Sequence, residues 1–290
     1  MKLLFCMSDS AHSIQIKTPH FSLVPAVYII GAGPGDPDLL TVKAVKILQK
    51  ADVIVFADSL VPPQILQETR PDAEIVRSGN KTLEEILPLM IERVRSQKSV
   101  VRLHSGDVSL YSAIHEQIQV LAEAEIPFEV IPGISAYQAA AAKLGVELTV
   151  PGLVQTIILT RISGRASAVP ESEELASLAA HQASLCLYLS ARHIEEAQAK
   201  LLTHYPADTP VAVCFRIGWP DEKIWLVPLV KMATLTQQEN LIRMTLYIVS
   251  PALGAGLALP EAFSNSSKDV SHKLARSRLY HPEHSHLFRR

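Results

Sequence analysis

The chain has almost no charge imbalance: 27 basic against 29 acidic side chains leave a formal net charge of −2 over 290 residues. No overall field favours a polyanion, and no cluster of aromatic and basic residues offers a nucleic-acid face. Cysteine is scarce. Cys6, Cys186 and Cys214 are odd in number, widely separated and without metal-like spacing, which argues against a disulfide framework and fits a reducing cytoplasm. No apolar run approaches the roughly eighteen residues that cross a bilayer, so a soluble protein without a membrane partner is expected. The start, Met1 to Met7, is faintly like a signal peptide, yet the apolar run stops at Ser8-Asp9 with no small-residue cleavage site, and export is not expected. Two catalytic signatures are also missing: a Gly-x-Ser-x-Gly elbow and a phosphate-binding loop ending in Lys and Ser or Thr. His104, Ser105 and Asp107 do not make a hydrolase triad, because neighbours in sequence lack a base oriented from elsewhere.

What is present is an apolar fraction of 48%, enough over this length for two domains with their own cores. The run Val27-Tyr28-Ile29-Ile30-Gly31-Ala32-Gly33-Pro34-Gly35-Asp36-Pro37 reads as a buried strand that breaks abruptly, leaving bare backbone at the carboxyl edge of a sheet. A dinucleotide fold needs a third glycine at position 36, where Asp36 stands, so that fingerprint fails. A second strand, Val100 to Leu103, ends in His104-Ser105-Gly106-Asp107, and a third, ending at Val130-Ile131, runs into Pro132-Gly133-Ile134-Ser135-Ala136.

Between and after these strands the chain alternates. A helical pattern over Leu39 to Lys50 leads to a strand at Val53 to Phe56. Then come a strand at Ile75-Val76, helices over Thr82 to Arg95 and Ala113 to Ala124, and the strand Phe128 to Ile131. Such alternation predicts an α/β fold with a mostly parallel sheet, whose carboxyl edge gathers all three glycine-bearing turns at one end. A helix over Tyr137 to Leu144 precedes Pro151-Gly152, where a boundary is expected. A second α/β lobe follows, with strands at 155–160, 184–189, 211–216, 223–227 and 245–249 and helices at 172–180 and 192–203. The expected organisation is a flexible extension at 1–25, lobes at 26–150 and 151–256, and a polar, disordered tail at 257–290. His272, His281, His284 and His286 in that tail lack ordered flanks and paired carboxylates, so no metal site is expected.

Together the strand ends Gly31-Ala32-Gly33-Pro34-Gly35-Asp36-Pro37, Arg102-Leu103-His104-Ser105-Gly106-Asp107 and Pro132-Gly133-Ile134-Ser135 resemble those of the tetrapyrrole (corrin/porphyrin) methylase family. Four further stretches narrow the likeness, over roughly residues 26 to 254, to members that methylate carbon 11 of precorrin-4 or cobalt-precorrin-4: Ala57 to Val61, Ser109 to Gln117, Leu159 to Pro170 and Arg216 to Glu222. The resemblance implies a two-lobed fold with the active site in the cleft between lobes, and S-adenosylmethionine as methyl donor. It also implies a corrinoid substrate and a cytoplasmic homodimer. Methylation at another ring carbon, or a nicotinamide-dependent oxidoreductase using the glycine-rich strand end, are the alternatives. Where relatives have proline after the acidic turn, Val108 stands here and restores an amide donor.

By the family's pattern the cofactor contacts are Pro34, Ser105, Gly106, Asp107, Leu110, Ser135, Ala136, Leu189, Ile217 and Thr245, with an ordinary core role as the alternative for Leu110, Leu189, Ile217 and Thr245. Asp58, Asp107 and Tyr111 are the candidates to touch the substrate or arrange its proton loss; Asp107 could instead cap the next helix, and Asp58 could be a turn-former. Arg102, Arg161, Arg165, Arg192 and Arg216 fall at strand ends or in adjoining loops, placed to hold substrate carboxylates.

Overall fold

The computed structural model describes residues 23–163 and 168–255. The expected terminal extension and tail lie largely outside the described residues, as does Arg165. The chain divides into two compact units, one ending at Ile134 and the other beginning at Ser135, which is earlier than the break expected after residue 150. The helix at Ala136–Leu144 belongs to the second unit and packs on that unit's last strand.

The first unit is a five-stranded parallel sheet of β1 (Val27–Gly31), β2 (Val53–Phe56), β3 (Glu74–Arg77), β4 (Val100–His104) and β5 (Phe128–Ile131), in the order β3-β2-β4-β1-β5. Both faces are covered, which is why the central strands read as unbroken apolar runs rather than alternating ones. On one face Tyr28, Ile30, Ile54, Phe56, Val101 and Leu103 pack with α1 (Val42–Leu48). On the other, Val27, Ile29, Val53, Val55 and Val100 pack against α2 (Leu83–Arg95) and α3 (Ile114–Glu123). Helix α2 begins where the sequence says it should: Thr82 and Glu85 form a capping box, closing the free amides of the first turn. The helical pattern from Leu39 resolves into a short 3-10 turn at Pro37–Leu39 and then α1, with Thr41 accepting from the amide of Ala44 as N-cap.

The second unit is a mixed sheet of β6 (Ile157–Arg161), β7 (Ser184–Tyr188), β8 (Pro210–Phe215), β9 (Lys223–Pro228) and β10 (Thr245–Val249), in the order β6-β7-β10-β8-β9. Only β6 and β7 run parallel; β10 is antiparallel to both its neighbours, and β8 and β9 are antiparallel to each other. Its helices are α4 (Ala136–Leu144), α5 (Leu175–Ala179), α6 (Ile194–Leu201) and α7 (Met232–Gln238). The last was missed in the sequence, where two β-branched threonines, Thr234 and Thr236, break up its apolar residues.

Candidate functional site

Because the first sheet is parallel, the turns that leave β4, β1 and β5 emerge side by side at its carboxyl edge. They touch through main chain. Gly33 and Gly106 exchange both amide-to-carbonyl bonds, at 3.2 and 2.7 Å, so the first two bends form a two-residue bridge beyond the strands proper. A methyl group on Gly31 would lie 2.6 Å from the amide nitrogen of Gly133, and one on Gly133 would lie 2.3 Å from the carbonyl oxygen of Gly106. No L side chain fits at that junction. Gly106 also needs its left-handed backbone, at φ 69°.

Asp107 clamps this junction. One carboxylate oxygen accepts from the amide of Gly133 at 2.9 Å; the other accepts from the amide of Ser109 at 3.0 Å and from the Ser109 hydroxyl. Partial burial pushes the carboxyl up, but the bonds from Ser109, from the Gly133 amide and from the amide of Val108 outweigh it and hold Asp107 below the ordinary carboxylate range. The amide that a proline would lack at position 108 is thus used, and the Val108 side chain is buried in the apolar cluster beneath α3. Helix α3 does not begin until Ile114, so Asp107 caps no helix; it joins the second bend to the third.

Along the same edge, Asp58 leaves β2 in a turn and accepts from the amide of Gly79 at 3.1 Å, as a turn-former would. Pro34 is buried, Ser105 exposed and Leu110 half-buried. Arg102 is not at the surface: it is 7% exposed on the α2 and α3 face of β4, donating to the Ser78 hydroxyl at 2.7 Å, and no carboxylate among the described residues pairs with it. Burial alone draws its pKa down to about 10. Two residues along, His104 is brought down to about 4, first by burial and then by the charge of Arg102. Beyond Asp107 the chain enters left-handed backbone at Tyr111 (φ 55°) and Ala113 (φ 51°), neither of them glycine; such strain gathers at functional sites.

In the second unit, β7 and β8 end, and β10 begins, at one edge. Leu189, Arg216 and Met244 sit there, all non-glycine and all left-handed. Leu189 is 67% exposed, an apolar side chain held out at a strand end. Arg161 ends β6 opposite Tyr188 and donates to the carbonyls of Ile162 and Ala168. Ile217 and Thr245 are buried at this edge. Arg192 is exposed. Arg216 pairs with Asp221 at 2.9 Å and stacks 4.0 Å from the Trp219 ring, so its charge is already matched within its own loop. Ser135 opens α4 in a capping box with Gln138, and its hydroxyl lies 2.8 Å from that of Tyr188.

The expected residues therefore fall in two groups. Pro34, Asp58, Arg102, Ser105, Gly106, Asp107, Leu110 and Tyr111 belong to the first unit, on β4 or beyond strand ends of one sheet edge. Ser135, Ala136, Arg161, Leu189, Arg192, Arg216, Ile217 and Thr245 belong to the second. Two residues not singled out from the sequence also make side-chain hydrogen bonds at these edges: Gln117, inside a quoted stretch, and Tyr188, one position before Leu189. Among the described residues no group of histidine, cysteine and acidic side chains could hold a metal ion, and no helix is long and apolar enough to cross a membrane.

A parallel sheet with fused glycine bends followed by a mixed sheet defines a class, and comparison with known proteins gives it: the chain belongs to the tetrapyrrole (corrin/porphyrin) methylases, whose profile matches residues 26–233. It is accordingly a methyltransferase of the α/β type. Among its relatives, it is 43% identical over 263 residues to the precorrin-4 C(11)-methyltransferase of Pseudomonas aeruginosa, covering 91% of this chain and 98% of that one. Among solved structures, it is similar to a cobalt precorrin-4 methyltransferase, a cobalamin biosynthetic enzyme, at 39% identity and a TM-score of 0.75, covering 79% and 96% of the two chains. It is also similar to the uroporphyrin-III C-methyl transferase of Thermus thermophilus complexed with S-adenosylhomocysteine, at 26% identity and a TM-score of 0.66, covering 79% and 98%.

Proposed function

We propose that this protein transfers a methyl group from S-adenosylmethionine to carbon 11 of precorrin-4 or cobalt-precorrin-4, giving precorrin-5 or cobalt-precorrin-5A, in cobalamin biosynthesis. It acts in the cytoplasm as a homodimer. The relatives matched along nearly their whole length support the reaction and the substrate. The fused glycine bends carry the donor's assignment: they leave main-chain groups bare at a sheet edge, where a ligand can approach more closely than any side chain allows.

The residues present fit this donor. Pro34, Ser105, Gly106, Asp107 and Leu110 take it from the first lobe, and Ser135, Ala136, Leu189, Ile217 and Thr245 from the second. Leu189, apolar and held out in strained backbone, suits a flat purine face. S-adenosylmethionine, when bound, supplies a methyl group already activated on a sulfonium. What is left to the protein is alignment and the exclusion of water. Asp107 serves that alignment: ionised and with internal donors on both oxygens, it sets the bends against one another rather than removing a proton. Asp58 and Tyr111, both reaching solvent, face the substrate and arrange its proton loss. Arg161, Arg165 and Arg192 hold peripheral substrate carboxylates, with Arg102 and Arg216 contributing positive potential from more enclosed positions.

Incubation with precorrin-4, with and without cobalt, and isotopically labelled S-adenosylmethionine tests the reading by mass spectrometry. One labelled methyl at carbon 11 is expected; a label at another carbon replaces the substrate assignment, and none overturns it. Titration calorimetry with S-adenosylhomocysteine and NADH separates the oxidoreductase alternative, which tight NADH binding would favour.

A further inference from the structure

Gln117 is 1% exposed in the first turns of α3, on the face turned to the sheet. Its side-chain nitrogen donates to the carbonyls of Ser112 at 3.3 Å and Ala113 at 3.2 Å, and lies 3.5 Å from Nε2 of His104. Two carbonyl acceptors fix which way the carboxamide points, since the reverse would set oxygen against oxygen. Its own oxygen is buried and finds no donor among the described residues. A buried acceptor left unmatched is costly, so this orientation is kept for what the nitrogen does. The carbonyls it holds belong to the segment in which Tyr111 and Ala113 are left-handed without being glycine, a backbone that persists only where its surroundings enforce it. His104, the third neighbour, ends β4 immediately before the second bend.

We infer that Gln117 is a positioning residue: its carboxamide ties segment 111–113, with its left-handed Tyr111 and Ala113, to the end of β4 and so fixes the loop that presents Leu110 and Tyr111. The inference rests on the reading that this loop faces the methyl donor and the substrate.

The test uses the full-length chain. Gln117→Met keeps the side chain's size and removes both donors. S-adenosylhomocysteine affinity by titration calorimetry is expected to fall about tenfold, as for the loss of one or two buried hydrogen bonds. Chymotrypsin, added without ligand, is expected to cut after Leu110 or Tyr111 faster than in wild type. The discriminating variant is Gln117→Met combined with Ala113→Gly. Glycine adopts left-handed backbone without strain, so the double variant should recover most of the affinity and the protection. Loss of packing under α3 would not be repaired that way. Wild-type affinity and cleavage in Gln117→Met, or no recovery in the double variant, overturns the inference. Where Gln117→Met does not fold, folding of the double variant supports the role and its failure overturns it. Should the wild type bind no S-adenosylhomocysteine, the functional reading falls, while the cleavage comparison still decides what Gln117 does.

Discussion

The hydroxyls of Tyr188 and Ser135 lie 2.8 Å apart, and the Tyr188 hydroxyl also accepts from the amide of Tyr137 at 3.2 Å. One side chain thereby fastens the first turn of α4 to the end of β7. The residues on either side of that contact, Ala136 and Leu189, are both among those proposed above to meet the methyl donor. Burial pushes the Tyr188 hydroxyl up to about 12, so it stays protonated throughout the physiological range.

Tyr188→Phe is expected to keep the fold, losing roughly 0.5–1.5 kcal/mol in urea unfolding, as for one or two hydrogen bonds. Its KM for S-adenosylmethionine should rise several-fold with the substrate's KM unchanged. Unchanged donor KM in steady-state kinetics contradicts the link between this contact and the donor.

Gly133→Ala puts a methyl group 2.3 Å from the Gly106 carbonyl, and both neighbours are backbone that cannot swing aside. The first sheet's edge has to spread, and a loss of about 3 kcal/mol or more is expected, at the severe end for a single substitution. Circular dichroism melting against the wild type checks it. A melting temperature within a degree or two of wild type shows the bends to be looser than described.

His104 should give the folded state a signature in acid. Its folded value, brought down to about 4 from an ordinary 6.5, means that the unfolded chain binds a proton between those values and the native protein does not. Stability then falls as pH drops through that window, by up to about 1.4 kcal/mol per pH unit for this one group. Urea unfolding of wild type and His104→Asn at several pH values measures it as a difference, cancelling the other histidines. The variant should show the shallower slope.

Asp107 has the usual carboxylate sign. Its lowered value means a contribution that is present above the ordinary carboxylate pKa and is lost as pH falls through the folded value. Asp107→Ala should therefore lose stability at neutral pH, converge with wild type in strong acid, and bind S-adenosylhomocysteine weakly. Equal unfolding of the two proteins at every pH argues that the clamp onto Gly133 carries no energy.

Much of this was readable in advance because parallel strands buried on both faces announce themselves as apolar runs, and because glycine and proline punctuate where they end. Val27 to Gly31 and Val100 to His104 were found for that reason, while the edge strand Phe128 to Ile131, with Phe128 and Val130 exposed, was marked instead by the Pro-Gly that ends it; their convergence follows from the strands being parallel. The capping residues of α2 and α4 are likewise local signals. Contacts made across the chain leave no such trace. Gln117 meets His104 and Tyr188 meets Ser135 only after the sheets have formed, and nothing in their immediate neighbours marks either one. The arginines were the least legible. A strand-end position says nothing of whether the side chain turns to solvent, as Arg192 does, folds under a helix face, as Arg102 does, or is matched by Asp221, as Arg216 is.

The place where Gly31, Gly106 and Gly133 meet has a consequence for how such a scaffold diversifies. A spot that admits no substituent offers evolution nothing to vary, so descendants of this architecture share an immutable centre whatever they modify. Variation has to fall elsewhere, in segments such as the one following Asp58 in the first unit, which carries side chains of many sizes.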